Sequence, residues 1–262
     1  MKSIRFEREG RIGTIVLANP PYNRLDVRFA HWLDEAVHEA SESDIRVLVV
    51  RAEGPNFSLG GEVREWPGKD ANWFRTFVGK INSTYRSIEA LRVPTVAVVQ
   101  GAAFGGGFEL ALSCDFVVAA ADTVFRCVEV TTAMLPLAGA LQRLAERIGR
   151  SRASRFAMLG EPIPGVQAGE LGIATHVAEA GSLERVADEL IMQLANGPTL
   201  SYATTRTLLK AWSSGGVAAA DAVMLDVCIG LYDSEDATRG FRNTAEAFEA
   251  DEVPTDLIFF GR

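Results

Sequence analysis

The chain passes from strand to helix through Gly101-Ala-Ala-Phe-Gly-Gly-Gly-Phe-Glu-Leu110, a stretch with three consecutive glycines and a glutamate. The strand-like run Pro94–Val99 precedes this stretch, and the helix-like run Phe108–Leu112 ends it. Where glycines open a helix after a strand, the first N–H groups of the helix have no intrahelical partner and lie at the positive end of its dipole. Such N–H groups can hold a developing oxyanion, and Glu109, one turn further on, can move a proton beside it.

A second glutamate, Glu129, follows 20 residues after Glu109, beyond the apolar strand-like run Phe116–Ala120. Two other interpretations compete with a catalytic one. The chain has 24 glycines, so the triplet can be a turn that only packs tightly. An acidic residue about 20 positions after a glycine turn is also typical of dinucleotide-binding sites. The spacing disfavours that second alternative, because Leu110 stands where the third glycine of the dinucleotide motif should be.

Several motifs resemble those of the crotonase (enoyl-CoA hydratase/isomerase) superfamily. They are Asn56-Phe-Ser-Leu-Gly-Gly-Glu62, Gly101–Leu110, Ser113-Cys-Asp115, Glu129 and Pro136…Gln142-Arg-Leu144. The spacing of Glu109 and Glu129 matches that of the two catalytic glutamates in the hydratases without a gap. The resemblance extends from the Asn19–Leu25 turn to Ser234-Glu-Asp236. It implies an α/β fold, namely a spiral of ββα turns followed by a C-terminal helical region that builds trimers.

The resemblance also implies a site and a reaction, the hydration of the C2=C3 bond of an enoyl-CoA thioester. The N–H groups of Gly61 and Gly106 would hold the thioester oxygen, and one such donor is worth about 3 kcal/mol. Glu109 would position and deprotonate the water, and Glu129 would serve C2. Neighbouring carboxylates discourage each other's ionisation, which keeps one available as an acid. The alternative for each glutamate is a solvated helix end, which its apolar neighbours disfavour.

The candidate contacts to coenzyme A are Arg24, Ser58, Gly60, Arg64 and Phe104. Arg64 falls where hydratases carry a lysine near the CoA phosphates, and Arg24 would add a second positive charge. For both arginines the alternative is a solvated surface cation. Aromatic residues follow the Gly61 loop, in the region that forms the acyl-pocket wall of relatives, although an aromatic stripe can equally belong to the core: Trp66, Trp73, Phe74 and Phe77.

Three departures from the hydratase pattern leave other functions open. Leu137 replaces a glycine whose N–H helps hold the catalytic water, and its side chain would crowd that water. Cys127-Val128 replaces a commoner Gln-Pro pair, and acidic residues occupy the C-terminal end where relatives carry basic ones. The alternatives are a double-bond isomerase working through Glu129 and a non-catalytic oligomeric acyl-CoA binder.

The composition limits the class of protein. A chain of 262 residues that is 48% hydrophobic can bury a large core, and its net charge of −8 disfavours a nucleic-acid partner. The three cysteines show no metal-ligand spacing, and the N-terminus shows no signal-peptide pattern, so a cytoplasmic location is predicted. No apolar run approaches 18 residues, so no membrane partner is expected. No metal or cofactor is predicted beyond the CoA moiety of the substrate.

The pattern of strands and helices predicts the organisation of the chain. A hairpin over Ile4–Leu17 is followed by alternating strands and helices, which favours a parallel layered sheet. After Pro136 the pattern is helical, and Gly215 is predicted to separate two helices. We expect one domain unit, with the spiral core in residues 1–195 and the helical region in 196–262. The apolar surface of Val217–Tyr232 predicts a homotrimer or a dimer of trimers.

Overall fold

The computed structural model describes residues 2–262; Met1, the first residue of the N-terminal segment that shows no signal-peptide pattern, lies outside them. The strands are β1 (Ile4–Glu9), β2 (Ile12–Leu17), β3 (Val47–Ala52), β4 (Thr95–Val99), β5 (Ala102–Phe104), β6 (Phe116–Ala120), β7 (Val124–Arg126), β8 (Ile163–Pro164) and β9 (His176–Ala178). The helices are α1 (Val27–Glu42), α2 (Ala71–Ala90), α3 (Gly106–Leu112), α4 (Ala140–Ile148), α5 (Arg150–Leu159), α6 (Gly165–Leu171), α7 (Leu183–Asn196), α8 (Thr199–Tyr232) and α9 (Glu235–Glu249). Short 3₁₀ turns cover Val63–Glu65 and Glu129–Thr132.

The main sheet has six strands in the order β1-β2-β3-β4-β6-β9. The predicted hairpin β1–β2 is antiparallel, and every later pair in this sheet is parallel. Val47–Val50 of β3 and all of β4 are buried, as continuous apolar runs in interior parallel strands should be. The hairpin and the parallel layered sheet predicted from the sequence are therefore confirmed.

The two faces of the main sheet belong to two cores, because side chains alternate along a strand. Leu48 and Val50 of β3 point into the larger core, which also contains the buried faces of α1, α2 and α3. Val47 and Val49 point the other way and pack with Ile191 and its neighbours on α7. Helix α3, which begins within the glycine triplet, packs into the larger core.

A second, smaller layer of strands runs β5-β7-β8. This layer is extended by two isolated parallel bridges, which add segments from earlier in the chain. They join Ser58 to Ala103 and Leu25 to Gly61. Each turn of the chain thus visits the main sheet, then the small layer, then a helix. This is the expected spiral of ββα turns, and the turns that contain β3, β4 and β6 place their loops side by side.

The structure corrects several expectations about secondary structure. Gly101–Phe104 is not merely part of a turn, because Ala102–Phe104 forms β5. Two strands, β6 and β7, separate Glu109 from Glu129 where one was predicted. The segment after Pro136 is not purely helical, since β8 and β9 join the sheets. The missed strands have two or three residues, too few for a hydrophobic alternation to be visible.

The C-terminal helices lie on the outside of the spiral. Helix α8 spans 34 residues, but Gly215 and Gly216 have non-helical dihedral angles, so two helices meet there at a kink. No residue of α8 is buried. Helix α8 is attached to the core by the partly buried Tyr202, which packs against the smaller core, and by Arg206, which forms a 2.6 Å ion pair with Asp115. The division of the chain at residues 195 and 196 stays a prediction.

One helix of the described chain, α8, is long and apolar enough to cross a membrane by length and composition alone. Its mean hydropathy reaches 1.5 over 18 residues, and none of that window is buried. The expectation of no membrane partner came from uninterrupted apolar runs, none of which approaches 18 residues, and it stays a prediction. Small residues such as alanine keep the average high here although polar residues interrupt the run. The kink at Gly215 and Gly216 divides the helix into two shorter segments.

Candidate active site

The glycine triplet forms a tightly packed corner against the Ser58–Gly61 loop. A side chain at Gly107 would meet the Cβ and carbonyl oxygen of Ser58 at 2.6 Å, and one at Gly106 would meet Leu25 at 2.8 Å. Gly60 has a φ of +77°, and a side chain there would approach the Gly106 nitrogen to 3.3 Å. Glycine is therefore required on both sides of this contact, and the contact brings the two loops together.

The backbone N–H groups of Gly61 and Gly106 have no acceptor among residues 2–262. Gly106 is the first residue of α3, where no intrahelical acceptor exists. Gly61 lies opposite Leu25, but the backbone bonds of that bridge use the Gly60 carbonyl and the Glu62 N–H instead. Both glycines line the same cavity. The site therefore offers two free hydrogen-bond donors from two different loops.

Glu109 lies on α3, one turn into the helix, and is almost completely buried. Its Oε1 accepts hydrogen bonds from the N–H groups of Ala138 at 2.8 Å and Ala140 at 3.1 Å. Burial raises the pKa of Glu109 to about 7; the nearby Glu129 charge adds to the rise, and the Ala138 and Ala140 hydrogen bonds oppose it. This carboxyl group is therefore set to exchange a proton near neutral pH.

Glu129 opens a 3₁₀ turn that follows β7. Its Oε2 is buried and has no hydrogen-bond partner among the described residues. Its Oε1 lies against the triplet, because a side chain at Gly105 would meet it at 3.0 Å. Burial raises the pKa of Glu129 above its ordinary value. The two glutamates are 20 positions apart in the sequence, and the structure brings both to one cavity.

The cavity has a volume of about 240 Å³ and is lined mainly by apolar side chains. Three of the four aromatic residues singled out from the sequence, Trp66, Phe74 and Phe77, form part of its wall. The Trp66 ring packs edge-on against Phe74 at 5.3 Å and against Phe77 at 6.3 Å between ring centroids. Trp73 does not line the cavity but stacks on Phe77 from behind at 5.4 Å. Two free N–H donors and two carboxyl groups thus face an apolar chamber.

Leu137 lines the cavity, as its place in the sequence suggested. Its backbone N–H has no acceptor among residues 2–262, and its carbonyl accepts a 3.0 Å hydrogen bond from the Asn82 side chain. The substitution of glycine by leucine at this position therefore keeps a free N–H group while adding a side chain to the wall.

The five candidate CoA contacts separate into two groups. Arg24 lines both the cavity and an adjoining surface groove, whereas Arg64 lines the groove alone. Arg64 is largely exposed and is bound to Glu62 by two hydrogen bonds, one of them 2.7 Å from Nε to Oε1. Arg24 has no carboxylate partner within residues 2–262 and lies over the Tyr22 ring at 5.3 Å. The groove therefore has two neutralised arginines, Arg64 and Arg28, the latter paired with Asp26 at 3.0 Å, and one unpaired arginine, Arg24.

The other three candidates do not line the cavity but belong to the loops that form the glycine corner. They are Ser58, Gly60 and Phe104. The Ser58 hydroxyl is fully buried; it donates to the Asn23 carbonyl at 2.7 Å and accepts from the Gly60 N–H at 3.2 Å. The Phe104 N–H donates to the Ser58 carbonyl at 2.9 Å. These residues shape the Gly60–Gly61 loop, and binding of CoA by the three of them stays a prediction.

Sequence reasoning missed Tyr85, which lies beneath the corner on α2. The fully buried Tyr85 hydroxyl donates a 2.8 Å hydrogen bond to the Gly106 carbonyl. Asn82, one turn earlier, was also missed. Both residues lie on α2, whose inner face is apolar, but an apolar helix face alone does not identify a hydrogen-bond partner.

The model of the enoyl-CoA hydratase/isomerase family matches residues 7–248. The chain belongs to this family. It is 36% identical over 67% of its length to a mitochondrial methylglutaconyl-CoA hydratase of Mus musculus, of which it covers 58%. It is 30% identical over 83% of its length to an enoyl-CoA isomerase/hydratase of Mycosarcoma maydis, of which it covers 77%. The chain spans little more than half the length of several such relatives, including 53% of the human methylglutaconyl-CoA hydratase.

Solved structures show the same fold. An enoyl-CoA hydratase from Geobacillus kaustophilus HTA426 superposes with a TM-score of 0.90 at 25% identity, covering 100% of this chain and 98% of the other. An enoyl-CoA hydratase from Polaromonas sp. JS666 gives a TM-score of 0.87 at 28% identity, covering 96% and 98%. The crotonase-like α/β fold predicted from the sequence is confirmed.

Proposed function

We propose that the protein is an enoyl-CoA hydratase, which adds water across the C2=C3 bond of an enoyl-CoA thioester. The observation that carries this proposal is the convergence of Glu109 and Glu129 on one apolar cavity beside the free N–H groups of Gly61 and Gly106. Hydration needs a base for water, an acid for C2 and donors for the thioester oxygen. Each requirement has a matching group at this site.

In the proposed reaction, the thioester oxygen accepts hydrogen bonds from the Gly61 and Gly106 N–H groups. The Glu109 carboxylate takes a proton from water while the water oxygen forms a bond to C3. The π electrons of C2=C3 move into the thioester, which becomes an enolate whose oxygen these donors stabilise, each by about 3 kcal/mol. The enolate then takes a proton at C2 from the Glu129 carboxylic acid. A proton transfer between the two glutamates restores the starting state.

The surroundings of the two glutamates raise both pKa values and so favour one proton shared by the pair. Glu109 receives two backbone hydrogen bonds, which favour its ionised form, the form needed in a base. Burial raises the pKa of both carboxyl groups, that of Glu109 to about 7, and a hydrogen bond from the Glu129 backbone N–H opposes the rise at Glu129. The assignment of base and acid therefore rests on the family resemblance, in which Glu109 serves the water and Glu129 serves C2. The two carboxyl groups also repel each other's charges, so a state with one proton on the pair is favoured.

The groove beside the cavity supports a binding role for coenzyme A. Arg24 is the better candidate for the phosphates, because Arg64 is already paired with Glu62. The apolar wall supports an uncharged hydrocarbon acyl chain as substrate. Apart from Arg24 at the junction with the groove, no cation lines the cavity within the described chain, so nothing there would offset a second carboxylate such as methylglutaconyl-CoA carries.

We also propose a homotrimer, or a dimer of trimers, built on the exposed apolar surface of α8. Leu225 and Ile229 are 72% and 67% exposed in the single chain. Such a surface on a water-soluble enzyme requires a partner. No cofactor is proposed beyond the CoA moiety of the substrate. A cytoplasmic location stays a prediction.

A double-bond isomerase is the second candidate, and Leu137 supports it. An isomerase shuttles one proton on one carboxylate and benefits from excluding water, and the Leu137 side chain lines the cavity where water would enter beside Glu109. The M. maydis relative is named as both isomerase and hydratase. A non-catalytic acyl-CoA binder has less support, because it has no use for two buried carboxyl groups with raised pKa values.

The decisive experiment measures hydration of crotonyl-CoA beside isomerisation of a 3-enoyl-CoA, for wild type, Glu109→Gln and the exposed control Glu39→Gln. A hydratase should lose about 10²–10⁴ in hydration rate in Glu109→Gln, since a general base is removed, and nothing in the control. Isomerisation without hydration, unchanged in Glu109→Gln, would replace the hydratase by the isomerase. Binding of acyl-CoA without hydration or isomerisation would identify the protein as a non-catalytic acyl-CoA binder.

A further inference from the structure

The loop that donates hydrogen bonds to Glu109 is itself hydrogen-bonded by a side chain of α4. Glu109 accepts two hydrogen bonds from the loop Leu137–Ala140, one from the Ala138 N–H and one from the Ala140 N–H. Ala140 is also the first residue of α4, so its N–H lies at the positive end of that helix. The position of the Glu109 carboxylate therefore depends on the position of this loop.

Arg143, in the first turn of α4, is hydrogen-bonded to the same loop. Its Nη1 donates to the Ala138 carbonyl at 2.9 Å. Its Nε and Nη2 form a fork on the Glu89 carboxylate at 2.6 and 2.7 Å. The guanidinium lies directly over Gly139, whose φ is +107°, and leaves no room for a side chain there. Only 12% of the Arg143 side chain is exposed, so this arrangement is fixed by packing as well as by hydrogen bonds.

We propose that Arg143, held by the fork with Glu89, is a positioning residue for Glu109. Arg143 holds the Ala138 carbonyl, and the N–H of the same residue binds Glu109. Its positive charge also favours the ionised form of Glu109. Arg143 does not line the cavity. The catalytic part of this inference rests on the proposed function, but the structural part does not.

The groups that face Glu109 come from four elements. They are Tyr85 on α2, Cys127 after β7, Glu129 in the 3₁₀ turn and Arg143 on α4. Burial raises the pKa of Cys127 to about 12 and holds the pKa of Tyr85 well above its usual range, so neither is charged near neutral pH. Arg143 is the one permanent cation of this set, and it lowers the pKa of Glu109 against the effect of burial.

The test that does not depend on turnover is a ¹³C titration of the glutamate carboxyl groups, with Glu109 identified by the signal lost in Glu109→Gln. In Arg143→Met the Glu109 midpoint should rise by about one pH unit, because an opposite charge nearby has been removed. Arg143→Lys keeps the positive charge but loses the two-bond contact with Glu89, so the Glu109 midpoint should shift less than in Arg143→Met. Arg152→Met, an exposed control on α5, should not shift it. An unchanged midpoint in Arg143→Met would overturn the proposal.

Amide hydrogen exchange tests the positioning part, and Glu89→Gln provides a milder variant if Arg143→Met does not fold. Breaking the fork should speed exchange at Ala138 and Ala140 at least several-fold; exchange as slow as in wild type would refute the clamp. If the wild type hydrates crotonyl-CoA, the acidic limb of its kcat profile should move upward in Arg143→Met with KM nearly constant. If it hydrates nothing, the proposed function fails while the titration and exchange results still decide this inference.

Discussion

The Tyr85 hydroxyl and the Gly106 carbonyl are joined by a 2.8 Å hydrogen bond beneath the glycine corner. Gly106 is also the residue whose free N–H lines the cavity, so one residue carries the proposed oxyanion donor and the anchor that fixes it. Tyr85 is fully buried, and its raised pKa keeps the phenol protonated and able to donate. The corner is therefore held by a side chain on α2 as well as by its own packing.

Replacing Tyr85 by phenylalanine removes this anchor while keeping the ring. We expect kcat to fall by about ten-fold with little change in KM, because a donor that is misplaced by a fraction of an ångström stabilises the enolate less. Stability should fall by about 1 kcal/mol for the lost hydrogen bond. Steady-state kinetics and urea unfolding check both values. A drop in stability with unchanged kcat would show that Tyr85 serves the fold alone.

Glu129→Gln should retain the fold and lower hydration by about 10²–10⁴, since the acid that serves C2 is lost while the shape is kept. Because Glu129 raises the pKa of Glu109 in the wild type, the same variant should lower the Glu109 midpoint. Turnover and the ¹³C titration provide the two readouts. Wild-type turnover in this variant would remove Glu129 from the mechanism.

Glu109 should make stability depend on pH in a direction opposite to that of a salt-bridged acid. Its folded pKa of about 7 lies above the ordinary value of 4.5, so the folded state holds the proton longer than the unfolded state. The stabilisation from the neutral form is complete below pH 4.5 and is lost as the pH rises through 7. Glu109→Gln should therefore be more stable than wild type at pH 8, by up to about 3 kcal/mol, and should lose this advantage near pH 4. Urea unfolding across this pH range measures it; a difference independent of pH would contradict it.

Trp66→Leu should widen the range of acyl chains. The Trp66 ring lines the cavity and lies so close to Gly61 that a side chain there would meet it at 2.6 Å. A smaller side chain opens the wall, so kcat/KM for a long enoyl-CoA should rise relative to that for crotonyl-CoA. Trp73→Leu is the matched control, because Trp73 packs on Phe77 behind the wall. The same chain-length profile in both variants would show that Trp66 does not limit the chamber.

The proposed trimer should depend on the apolar surface of α8. Ile229→Glu places a charge on that surface and should convert the trimer to smaller species, whereas Arg152→Glu on α5 should not. Sedimentation velocity at micromolar concentration distinguishes these cases. A stable monomer for the wild type would refute the assembly and would leave the exposure of Leu225 and Ile229 unexplained.

The sequence predicted those parts of the fold whose signals are long or chemically distinctive. The valine runs of β3 and β4 and the buried stripe of α1 were recognisable because each repeats one pattern over its whole length. Gly106 and Glu109 were recognisable from the Gly101–Leu110 motif, Gly61 from the Asn56–Glu62 motif, and Glu129 from its spacing of 20 residues after Glu109. The short strands β5, β7, β8 and β9 were not, since their pairing is decided by neighbours distant in the chain.

The rest of the site could not be predicted, because its residues act through tertiary contacts. Tyr85 is 21 positions from Gly106 and Glu89 is 54 from Arg143, with no local pattern to link either pair. Arg64 shows the opposite limitation: its place in the sequence suggested a phosphate contact, and only the structure shows its pairing with Glu62. A sequence shows which residues are charged, but it does not show whether a charge is already paired with an opposite one.

The glycine corner also decides where this protein can be altered by directed evolution. A methyl group at Gly107 would meet the Cβ and carbonyl oxygen of Ser58 at 2.6 Å, and Gly105 has a φ of +49°, so most substitutions at these two positions would disturb the corner. The chamber wall is free of that restriction, since Trp66 and Leu137 meet the cavity with their side chains. Variation in the wall can therefore change which acyl chain is accepted while the catalytic groups stay in place, and new substrates can be sought without redesigning the chemistry.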